Sequence, residues 1–101
     1  MRDPKILESV KATLALLVAA NPGRAIEVRI PPYAAVQCGD GPTHTRGTPP
    51  NVIEMDADTW LALANGAIDW VAAMQTGKIN ASGARADLSE YLPLAPIRIT
   101  P

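Results

Sequence analysis

Between residues 25 and 30 the chain reads AIEVRI, with Ile26, Val28 and Ile30 on one side and Glu27 and Arg29 on the other. Alternation of period two predicts a strand with one buried face. Pro31 and Pro32 must end it, because neither can donate a backbone hydrogen bond to a ladder. Upstream the period changes: Ile6, Val10, Leu14 and Leu17 recur at steps of four and three, widened by Leu7 and Val18. That stripe predicts an amphipathic helix. Asp3-Pro4 starts it as cap and first-turn proline, and Asn21-Pro22-Gly23 stops it.

Further along, YAAVQC (33–38), NVIEM (51–55) and KINAS (78–82) read as strands. Between the last two lie two short helices. Asp56 caps the first, which carries Trp60, Leu61 and Leu63 and closes near Asn65-Gly66. Asp69 caps the second, which carries Trp70, Val71, Ala73 and Met74 and closes at Gly77. Acidic caps and terminal glycines are what helix ends prefer. Residues 88–92 suggest one more helical turn, and residues 95–101 a loosely held tail. Strands clustered with helices to either side predict a single α+β domain over residues 1–101, an antiparallel sheet packed against helices.

Composition narrows the function more than the fold. The chain has 101 residues, 48% of them apolar and 19% charged, with a formal net charge of −1. This is a globular balance with no electrostatic footprint for nucleic acid. Phenylalanine is absent, so Leu, Ile, Val, Ala, Met and two tryptophans must build the core. The apolar run ATLALLVAA falls short of the roughly 20 residues that span a bilayer. A signal peptide fits poorly with Glu8 and the NPG turn behind it, so a buried helix and a cytoplasmic location are expected.

The stretch CGDGPTHTRGTPPNVIE holds the chain's one cysteine and one histidine, Cys38 and His44, together with Arg46. A thiolate–imidazole pair needs its side chains within hydrogen-bond reach. A wide turn over residues 39–42, followed by a short return strand, would put Cys38 opposite Thr43 and Gln37 opposite His44. Cysteine and histidine then stand on opposite faces of the sheet, whereas an odd-length turn would reverse this. One Cys and one His fall short of a zinc ligand set. Asp56 and Asp58 are explained by capping and the helix dipole. No P-loop, dinucleotide-binding glycine pattern, GxSxG or HExxH occurs. No catalytic residue, metal or cofactor is therefore expected, and Arg46 and His44 stand as surface contacts for an anion or partner.

DADTWLALANGAIDWVAAMQTGKINASG, residues 56–83, resembles the sterol carrier protein family. A helix running into glycine, a second short helix into Gly-Lys, and a strand ending in glycine form its C-terminal signature, here WLALANG, WVAAMQTG and KINASG. GRAIEVRIPPYAAVQCGDGPTHTRGTPPNVIE and ASGARADLSEYLPL look like the compact bacterial branch of that family. The resemblance implies a five-stranded, mostly antiparallel sheet with helices on one face and a tunnel for lipid between them, residues 43–46 supplying the fifth strand. It implies carriage of fatty acyl chains, sterols or similar lipids without reaction. Inward positions that would line such a site are Leu14, Leu17, Val18, Val28, Val36, Trp60, Leu63, Trp70, Met74 and Ile79.

An empty void of roughly 300 Å³ at about 24 cal/mol per Å³ would cost some 7 kcal/mol, comparable to the roughly 5–15 kcal/mol stability of a whole domain. A ligand must fill the tunnel, or it has shrunk, or the domain opens. Three functions follow: binding or transfer of a hydrophobic small molecule, with transient membrane contact; an accessory module that binds a partner protein and has no open tunnel; and a small enzyme using Cys38 or His44.

Overall fold

Asp3 accepts hydrogen bonds from the backbone N–H groups of Lys5 and Ile6, at 2.8 and 3.4 Å, and Pro4 opens the helix behind it. Helix α1 then runs Pro4–Ala20 and buries the stripe Val10, Leu14 and Leu17. The computed structural model of the protein describes residues 3–41 and 51–94. Strands β1 (Ile26–Ile30) and β2 (Ala34–Cys38) follow, then β3 (Asn51–Met55), α2 (Ala57–Ala64), α3 (Trp70–Gln75) and β4 (Ile79–Ser82). The expected strand at residues 43–46, the surface contacts His44 and Arg46, and the tail 95–101 all lie outside the described residues.

The four described strands form one sheet in the order β2-β1-β3-β4. Its outer pairings are antiparallel, but β1 and β3 run parallel, with Ile26 beside Asn51 and Val28 beside Ile53. The expected mostly antiparallel sheet is thereby corrected to a mixed one with four described strands, and the fifth expected strand falls outside the described residues. The reason is connectivity. Antiparallel neighbours accept a tight turn, whereas parallel neighbours need a crossover of a dozen or more residues. Here the crossover from β1 to β3 contains β2, which folds back on the other edge of β1.

Alternation settles the faces as read. Ile26, Val28 and Ile30 of β1, Cys38 of β2, Ile53 and Met55 of β3 and Ile79 of β4 are buried. They join the buried residues of all three helices in one cluster. Helix α1 packs on β2 and α2, and the indole N–H of Trp60 donates to Thr13 Oγ1 across the helix pair at 2.8 Å. The Thr13 hydroxyl in turn donates to the Ser9 carbonyl at 2.7 Å, so the one polar atom of the buried indole has a fully engaged partner.

Two tight junctions close the sheet ends. Gly23 brings its backbone so near Gly39 that a Cβ would lie 1.9 Å from the Gly39 carbonyl oxygen, and its φ of +141° is a glycine conformation. Asn51, buried at the start of β3, donates from its amide to the Ala25 carbonyl and accepts from the Arg85 N–H, each at 2.8 Å. One side chain thus fastens β3 to the entry of β1 and to the segment after β4. Residues 88–92 form a turn, closed by Tyr91 N–H to the Leu88 carbonyl at 2.9 Å, rather than a helical segment.

Candidate functional site

The ten expected lining residues separate into two groups. Leu14, Leu17, Val28 and Trp60 are wholly inaccessible, and Leu63, Trp70 and Ile79 are buried. Val18 and Val36 are half-buried against the same cluster. Met74 is corrected: it is 41% exposed. On a six-residue helix the inward row is Trp70 and Ala73, one turn apart, so the row Val71 and Met74 faces out.

Of the ten, Leu63 and Trp70 border an open cleft of about 310 Å³ between the end of α2, the start of α3 and the segment 88–93. Ile68, Val71, Leu92 and Pro93 complete its apolar wall. Gly66 lies beneath Pro93, and Asp69 and Ser89 are the polar residues at the rim. Val71, 60% exposed, gives the wall much of its open apolar surface.

Helix-end chemistry builds this place. At the end of α2 the Ala67 N–H donates to the Ala62 carbonyl and Gly66 N–H to the Leu63 carbonyl, at 2.9 and 3.2 Å. This is the paired closure made possible by a left-handed residue, and Gly66 has φ +83°. The next carbonyl, Ala64, accepts from Leu94 N–H at 3.0 Å. A carbonyl that the helix cannot satisfy therefore holds the far wall of the cleft in place. Leu88 and Leu94, both buried, pin that wall at either end. At the start of α3, Asp69 Oδ1 accepts from Ala72 N–H at 2.7 Å.

Because the cleft is open to water it carries none of the free-energy cost of an empty interior void. A ligand laid in it would gain about 25 cal/mol for each Å² of apolar surface removed from water. Its volume is near the lower end of small-molecule sites, roughly 300–1,000 Å³. Ile68, Val71, Leu92 and Pro93 are the apolar lining residues absent from the expected ten. For Leu92 and Pro93 the signal was the run of Leu88, Leu92 and Leu94.

The polar candidates contribute little chemistry. Cys38 is fully buried, and burial pushes its thiol up to about 11, so it is no thiolate at neutral pH. Asp56 caps α2, and hydrogen bonds from Thr59, the backbone N–H first, hold its carboxyl below the ordinary value. A second cleft, of about 360 Å³, is bordered by Asp40, Arg85, Asp87, Glu90 and Tyr91. Among the described residues, no three His, Cys, Asp or Glu side chains gather as a metal site.

A family model described as the bacterial SCP ortholog matches residues 3–94. The chain belongs to this family. No curated protein matches the sequence. The match to this sterol carrier protein-like family runs from the cap of α1 to Leu94, so it takes in every wall of the apolar cleft. Among the described residues no helix is long and apolar enough to cross a membrane.

Proposed function

We propose that this SCP-family protein binds and carries a lipid or other hydrophobic small molecule without chemically altering it, seated in the cleft between α2, α3 and residues 88–93. The observation that carries this reading is the apolar wall of Leu63, Ile68, Trp70, Val71, Leu92 and Pro93, open to solvent in a chain of this family. Leu63 and Trp70 touch the ligand. Leu14, Leu17, Val18, Val28, Val36, Trp60 and Ile79 support the floor from within the core. The protein works in the cytoplasm, where its lone cysteine stays reduced.

A second reading is favoured by the tightness of that core. With Leu14, Leu17, Val28 and Trp60 wholly inaccessible, the domain fits an accessory module that keeps the fold without an open tunnel and binds a partner protein. Native mass spectrometry and calorimetric titration with decyl-chain amphiphiles separate the two. The carrier reading expects lipid-range adducts and saturation at one equivalent. It also expects Val71→Trp, which fills the cleft from an exposed position, to weaken binding at least tenfold. No adduct and no saturable binding would sink it.

A further inference from the structure

Resting on the lipid-site reading above, we propose that the cleft selects amphiphiles by the charge of their head group, with Asp69 favouring a cationic head and rejecting an anionic one. Nine described residues border the cleft, and Asp69 is the one of them that carries a charge. Its Oδ1 is committed to Ala72 N–H at 2.7 Å. Among the described residues that is the side chain's one hydrogen bond, and no cation pairs with it. Asp69 is exposed and borders the cleft, so its charge lies beside the mouth.

Asp87 accepts from the N–H of Ser89, the other polar rim residue, at 2.7 Å, and itself borders the neighbouring cleft with Arg85. Among the described residues, Lys78 and Arg85 border other clefts. At the start of α3 the Ala72 N–H is already bonded to Asp69. A fatty carboxylate laid along Leu92 and Val71 would therefore meet like charge, and among the described residues no cationic side chain borders the cleft to neutralise it. An alkylammonium ion of the same length would meet a carboxylate that no cation among the described residues pairs. At about 310 Å³ the cleft has roughly twice the volume of the 150 Å³ apolar cavity that holds a benzene molecule, room for a medium-length chain.

The test uses decylamine, decanol and decanoate, three ligands with one chain and three head charges, titrated by calorimetry at pH 7.5 and low salt. Wild-type protein should bind them in the order amine, alcohol, carboxylate. The amine should lead the carboxylate by about fivefold, the scale of an exposed charge pair expressed as a ratio of affinities. In Asp69→Asn, which keeps the cap because asparagine caps as well as aspartate, the amine and carboxylate should bind within twofold of each other. Equal binding in the wild type, a carboxylate preference, or an amine preference that persists in Asp69→Asn would overturn the proposal and leave the lipid site standing. Failure of all three ligands to bind would remove the site itself.

Discussion

Helices α1 and α3 are both amphipathic, yet they meet water differently. Helix α1, at 17 residues, lays Val10, Leu14 and Leu17 wholly inside the core. Helix α3, at six residues, buries Trp70 and Ala73 and leaves Val71 and Met74 out. The longer helix packs against β2 and α2, which cover its stripe. The shorter one reaches only the domain's edge, where its first turn becomes one wall of a cleft. A contiguous apolar stripe at helical spacing therefore marks the core, and a ligand-sized opening arises where an apolar helix is too short to be covered.

The largest effect should come from emptying the covered side. Leu14→Ala deletes buried atoms with no room to relax, and should cost about 3 kcal/mol or more. Val71→Ala, at an exposed position, should stay within about 0.5 kcal/mol. Urea unfolding of the two variants measures both. Similar losses would erase the distinction between the two regions.

Cys38 sharpens the same contrast through pH. Its thiol is neutral when protonated, and burial raises the folded pKa from the ordinary 9.0 to about 11. Over that interval the unfolded chain binds fewer protons than the folded one, so stability falls as pH rises. The stabilisation is fully present below pH 9 and is lost between about pH 9 and 11. Two units of pKa amount to at most about 2–3 kcal/mol. Cys38→Ala should lack this component of the alkaline decline, and a thiol reagent at pH 8 should react with the wild type only through unfolding. Rapid labelling of the folded protein would place Cys38 near the surface and overturn its assignment to the core.

Much of the frame was legible in the chain. Asp3, Asp56 and Asp69 each cap the helix they were expected to start, because a cap is a contact between residues two or three apart in sequence. The alternation of AIEVRI named the buried face of β1 correctly, because period two is set by the backbone alone. What stayed hidden depended on distant partners. Alternation states which face is buried and not which strand lies alongside, so the parallel pairing of Ile26 with Asn51 left no trace. Asn51 itself looked like an ordinary strand residue, since its role depends on Ala25 and Arg85 arriving from elsewhere. The cleft needs Leu92 and Pro93 to lie over Gly66, a meeting fixed by the hydrogen bond of Leu94 to the end of α2. No local pattern encodes it.

Met74 tests the boundary between the two regions with the smallest change. Helical spacing alone does not say which of two neighbouring rows on a six-residue helix turns inward, and the expectation chose Met74. At 41% exposure it stands on the outer row, and it does not border the cleft. Met74→Ser should therefore alter stability by no more than about 0.5 kcal/mol, a melting shift of about 2–4 °C for a domain of this size. Affinity for decylamine should remain within twofold of wild type. A buried methionine would behave differently, because its truncation costs about 2–5 kcal/mol. A loss of that size, or a tenfold loss of binding, would turn Met74 inward and make it part of the pocket.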